Sequence, residues 1–152
     1  MQRQQKTNVY RYVEKCLYSY PVNKARLKVL TEDLRVLRTG SDVHAQQYDK
    51  ITGQGYIVFD PVASYVERID KLESQIRYIE RVTIPITQLI QELNNPKIKS
   101  NSKYSDFRII LDLYYFSGNP IDIVAQEIHC SRTTLFNKRI ALVKMAVGYL
   151  GF

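Results

Sequence analysis

Four side chains within six positions, Arg132, Thr133, Phe136 and Asn137, carry the groups that read base edges in nucleic acid. An arginine can donate two parallel hydrogen bonds to guanine and an asparagine can pair with adenine, while Thr133 or Phe136 can meet the methyl group of thymine. Taken singly, each of these residues is also compatible with a solvated helix face. Taken together they sit beside Lys138, Arg139 and Lys144, with no acidic side chain anywhere after Glu127. That combination favours a polyanion. Arg132, Thr133, Phe136 and Asn137 are therefore the expected base contacts on double-stranded DNA, and Lys103, Ser131, Lys138, Arg139 and Lys144 the expected phosphate contacts.

Other chemistries find little support. His44 and His129, with Cys16 and Cys130, are scattered without the paired spacing of metal ligands, so neither a metal nor any other cofactor is expected. No histidine has a nucleophile at motif spacing, and no catalytic residue is assigned. The Gly53-Gln54-Gly55 run lacks the lysine and hydroxyl of a phosphate-binding loop and reads as part of a linker.

The reading residues need a helix and something to hold it. Ser131 can cap a helix whose inner side carries Leu135, Leu142, Val143 and Ala146. Before it, Ile121, Val124, Ala125 and Ile128 mark one face of a shorter helix. Two helices joined by a tight turn, the first with a small residue at the crossing, form the helix-turn-helix pattern. Ala125 is that small residue. His129 stands where the turn needs a left-handed residue, and Cys130 where a small apolar side chain is buried. Two positions fit less cleanly, since Lys138 occupies a site where such helices bury a large apolar residue and Arg139 falls within the apolar arc. Either their stems snorkel past the core or the register shifts by one.

Upstream, Val9, Val13, Cys16, Leu17 and Tyr20 predict an amphipathic helix punctuated by Pro21. Leu27, Leu30, Leu34 and Leu37 follow as a short coiled-coil seam ended by Gly40, in a second helix or a kinked continuation. A loop is expected at about residues 41–60. Asp60 and Pro61 then start a long helix whose stripe runs Val62, Val66, Ile69, Leu72, Ile76, Ile79, Thr83, Ile86, Ile90 and Leu93. Pro85 should kink or break it near Thr83. Phe107 to Phe116 predicts a nearly apolar helix closed by Ser117-Gly118-Asn119-Pro120.

The segment from Asn94 to Ser105 reads as a basic linker, which sets a domain boundary. The expected fold class is all-α: residues 1–95 form a helical hairpin or coiled-coil assembly region, and residues 96–152 a helix-turn-helix DNA-binding domain. Charge follows this division. Residues 61–95 carry 4 basic and 5 acidic side chains, whereas residues 96–152 carry 8 and 4. The whole chain of 152 residues has a net charge of +7 and a pI near 9.4. Its 45% hydrophobic share supplies a globular core and is too large for a disordered tail. No apolar run matches a membrane span or a signal peptide, which leads to a cytoplasmic expectation.

From Tyr12-Val13-Glu14-Lys15-Cys16-Leu17-Tyr18-Ser19-Tyr20, through Asp60-Pro61, Val66-Glu67-Arg68-Ile69 and Leu113-Tyr114-Tyr115-Phe116, to Ser131-Arg132-Thr133-Thr134 and Leu150-Gly151, the chain resembles the RinA and ArpU type phage transcriptional regulators. The C-terminal part of that family is similar to the promoter-reading helix-turn-helix of sigma factors. The resemblance implies a DNA-binding activator of late or packaging genes, acting at promoters alongside RNA polymerase. Lys138 departs from the large aromatic or aliphatic residue often found there. An alternative is a packaging recognition protein of the small-terminase kind, and a third reading is a protein adaptor whose basic helices meet an acidic partner. Residues 61–93 are expected to carry self-association or to dock the N-terminal helices, because their stripe is too long to leave in water.

Overall fold

The computed structural model describes residues 2–40 and 61–152, and every regular element among them is helical. The helices are α1 (Gln2–Thr39), α2 (Pro61–Leu93), α3 (Pro96–Lys99), α4 (Phe107–Ile110), α5 (Ile121–Glu127) and α6 (Arg132–Tyr149). Between α4 and α5 the chain continues as a π-helical segment, Leu111–Phe116. The all-α expectation holds. The loop expected at residues 41–60 lies outside the described residues.

Neither internal proline ends its helix. Pro21 lies within α1 and Pro85 within α2. A helix-interior proline forfeits one hydrogen bond and costs about 3 kcal/mol. Ile86, Leu89 and Leu93, which follow Pro85, are all essentially inaccessible. Burying each is worth roughly 1.5–3 kcal/mol, so their sum exceeds the penalty and the helix continues. Thr87 also donates its hydroxyl to the Thr83 carbonyl at 3.0 Å. With that hydrogen committed, the Tyr20 phenol must be the donor in the 2.9 Å bond to Thr87 Oγ1.

The chain forms two compact units, residues 24–80 and residues 1–23 with 81–152. This differs from a boundary at residue 95. The core of the larger unit takes Val13 and Leu17 from α1 and Ile86, Leu89 and Leu93 from α2, and combines them with Phe107, Ile110, Leu111, Val124, Leu135, Leu142 and Val143. A stretch of 57 residues lies near the lower limit for a core of its own, and the two long helices add to it. The basic segment after Asn94 is correspondingly a series of ordered turns. Asn95 caps α3 by accepting from the Lys97 amide at 3.1 Å, and Asn101 accepts from the Lys103 amide at 3.0 Å. Ile98 and Tyr104 from this segment pack against the core.

In the smaller unit, Leu34 and Ile79 are buried, while Leu27, Leu30 and Leu37 of the predicted seam are half-exposed. Arg38 pairs with Glu73, and the Tyr65 hydroxyl donates to the Leu37 carbonyl at 3.2 Å. The predicted stripe of α2 is buried at Ile79, Thr83, Ile86 and Leu93 but exposed at Val62 and Val66.

Candidate nucleic-acid interface

The turn between α5 and α6 fixes where the second helix begins. His129 adopts φ 53°, the left-handed conformation expected of it. Its amide donates to Gln126 and that of Cys130 to the Ala125 carbonyl at 3.0 Å, which closes the end of α5. Ala125 is buried, as a crossing point requires. Ser131 then caps α6, its Oγ accepting from the Thr134 amide at 3.1 Å. Four orphan amides make an uncapped helix start costly, and this serine satisfies one of them.

Leu135, Leu142, Val143 and Ala146 of α6 are all buried. At 100° per residue, Thr133, Asn137 and Lys144 fall on the opposite face, and all three are exposed. Phe136 is 52% exposed, an aromatic ring left largely in water. Arg132 is also exposed, with Nε 3.2 Å from Asp122 Oδ1. Both side chains of that pair are more than three-fifths accessible, so the bond is weak and exchangeable. The four expected base-reading residues thus all reach solvent, with Thr133 and Asn137 facing directly away from the core.

The expected phosphate contacts divide. Lys144 is exposed and borders a groove of about 690 Å³ with Lys6, Val9, Tyr10 and Val147. Lys103 is exposed as well, its ammonium 5.3 Å from the centroid of the Tyr104 ring. The Ser131 hydroxyl is exposed but occupied by the cap. Lys138 is a correction: its ammonium pairs with Asp106, and only about a quarter of each side chain is accessible. Arg139 is a second correction, because it points inward. Its Nη2 donates to Glu14 Oε1 at 2.6 Å, and its guanidinium carbon lies 4.1 Å from the Tyr114 ring centroid. An arginine in the core arc takes its counter-ion from the same molecule, and with 13% of its side chain exposed Arg139 is turned toward Glu14 rather than toward solvent.

Glu14 is the partner of Arg139 that sequence reasoning missed. The Tyr115 hydroxyl donates to the same Oε1 at 2.9 Å. Burial pushes the Tyr115 phenol well above its ordinary value, so it remains a protonated donor. A signal existed: Glu14 lies between Val13 and Leu17 at the edge of the apolar face of α1, as Arg139 lies within that of α6. Two opposite charges in two core arcs predict a pair. Asp106 and Asp122, which hold Lys138 and Arg132, carried no such signal.

Protein-family models, curated proteins and solved structures were all compared with the chain. None of the three gives a match. His129 is exposed, Cys16 is a buried free thiol and Cys130 a half-buried one. No group of three or more His, Cys, Asp or Glu among the described residues could hold a metal ion, and no helix among them is long and apolar enough to cross a membrane.

Proposed function

We propose that this chain is a sequence-specific DNA-binding transcriptional regulator of the RinA and ArpU type, with α5 and α6 as its helix-turn-helix and α6 as the helix that enters the major groove. The observation that carries this reading is the outward face of α6. Thr133, Phe136 and Asn137, with Arg132 at the helix start, project from a helix whose other side is anchored by four buried residues. Lys144 extends the same face with a positive charge, and neither Asp nor Glu lies on α6 to repel a phosphate. Base contacts would come from the first turns and phosphate contacts from Lys144, Lys103 and the start of α6. Activation of phage late or packaging genes alongside RNA polymerase is the role that the resemblance adds.

The test is selection of bound sequences from random double-stranded DNA, followed by shift assays across a salt series. An enriched motif bound more tightly than scrambled DNA at equal salt is the expected result. Salt-sensitive binding without an enriched motif would leave basic stickiness only, and no binding would leave the adaptor reading. The small-terminase alternative draws on a separate observation: Val29, Val36, Val62, Val66 and Tyr78 of the smaller unit are all about half exposed or more. Val29 and Val36, seven residues apart, share one face of α1, and Val62 and Val66, four apart, one face of α2, as an assembly surface needs. A ring of many copies favours packaging, and a monomer or dimer favours regulation.

A further inference from the structure

Arg139 occupies the arc of α6 that otherwise holds Leu135, Leu142, Val143 and Ala146, and only 13% of its side chain meets solvent. An aliphatic residue would fill that arc without desolvating a charge. Buried ion pairs seldom stabilise a fold more than well-packed apolar residues of similar volume. What the pair supplies and a leucine does not is direction. Arg139 Nη2 and the Tyr115 hydroxyl both donate to Glu14 Oε1, at 2.6 and 2.9 Å, while the guanidinium lies against the Tyr114 ring. One carboxylate oxygen thus joins α1, the π-helical segment and α6. Turning α6 by a single residue about its axis would swing Arg139 through about 100° and break both the ion pair and the ring contact. The Nε of Arg139 is buried without a hydrogen-bond partner, so the side chain has already given up hydration to hold this geometry.

We propose that Glu14 is a positioning residue for the outward face of α6: by holding Arg139 it fixes the rotation at which Thr133, Asn137 and Lys144 face away from the core. This rests on the reading of α6 as the DNA-entering helix. The beginning of α1 is then part of the scaffold of the interface, and Arg139 serves DNA binding without touching DNA.

The test uses the full chain, with Glu14→Gln to remove the charge while keeping an oxygen acceptor, and Arg139→Met to remove the guanidinium. Three quantities are read: affinity for the selected site relative to scrambled DNA, the salt dependence of binding, and amide hydrogen exchange across Thr133 to Asn137. Either variant is expected to lower the affinity ratio about tenfold, the scale of one lost base contact. The salt slope should stay unchanged, and exchange should quicken at the start of α6 but not in α2. Wild-type ratio and wild-type exchange in both variants would overturn the proposal. So would a slope reduced by about one ion in Arg139→Met, because that marks a phosphate contact. Should either variant fail to fold, Tyr115→Phe removes one of the two bonds to Oε1 and leaves the ion pair, with a smaller fall in ratio expected and a wild-type ratio and exchange counting against the proposal. If the unaltered chain shows no sequence preference, the functional reading fails by itself, and exchange in Glu14→Gln alone decides whether Glu14 positions α6.

Discussion

The Arg132 guanidinium approaches the Asp122 carboxylate to 3.2 Å, joining the first residue of α6 to the second residue of α5 across the turn. At more than three-fifths exposure on both sides, this pair competes with water and salt and holds the arginine only loosely. An arginine so placed can exchange a carboxylate for a guanine edge.

Alanine at Arg132 or Asn137 is accordingly expected to cost about 1–3 kcal/mol on the selected site and to relax preference at one base pair, with much less effect on scrambled DNA. Asp122→Asn should strengthen binding to all sequences and move the denaturation midpoint very little. Competition binding against a panel of single-base variants of the site measures both. Retained wild-type preference in the Arg132 and Asn137 variants would show that another element reads the bases.

Lysines that look alike in sequence should separate in a salt series. Lys144→Ala is expected to reduce the slope of log affinity against log salt by about one, the counterion released at one phosphate. Lys138→Ala should leave the slope unchanged and lower the melting temperature instead, because it strands Asp106 in a partly buried place. Equal slope changes for the two would mean that Lys138 leaves Asp106 when DNA binds.

The outward residues of α6 were legible because helical periodicity is local. Leu135, Leu142, Val143 and Ala146 define the inner side within one element, and the exposed face follows. The left-handed His129 was legible for the same reason, since a tight turn dictates its backbone within a few residues. What joins distant segments was not legible. Pro21 and Pro85 left open whether each helix breaks or continues, and burial around them, which sequence alone does not weigh, decides for continuation. The linker composition after Asn94 likewise concealed that α1 and α2 complete the core beneath α6. Hydrophobic periodicity marks a buried face but does not name the partner that covers it.

Separating residues 96–152 from the rest should therefore abolish the fold. Removing Val13, Leu17, Ile86, Leu89 and Leu93, all essentially inaccessible, forfeits roughly 1.5–3 kcal/mol each, a total comparable to the 5–15 kcal/mol that keeps a typical domain folded. Circular dichroism of the fragment should show little helix, and shift assays only weak, salt-sensitive binding. In the full chain, Leu17→Ala should cost about 2–5 kcal/mol. A cooperatively melting, sequence-specific fragment would restore the boundary at residue 95.

Alkaline pH offers a separate probe of the aromatic cluster around Glu14. Burial raises the pKa of Tyr115, and it also raises those of Tyr10 and Tyr18 from their ordinary value of 10.0. A group whose pKa is higher folded than unfolded stabilises the fold fully below its unfolded value, because above that pH the unfolded chain releases its proton first. Stability should thus hold through neutral pH and fall as pH rises above about 10. Tyr115→Phe removes one titrating hydroxyl, so it should flatten this alkaline limb while lowering stability at pH 7 through loss of the bond to Glu14. Urea midpoints at about pH 7, 9, 10.5 and 11.5, which run from about three units below the free phenol to about 1.5 above it, measure both effects. An alkaline limb as steep in Tyr115→Phe as in the unaltered chain would assign the loss to Tyr10 or Tyr18, and would mean that the Tyr115 hydroxyl is not held protonated against Glu14.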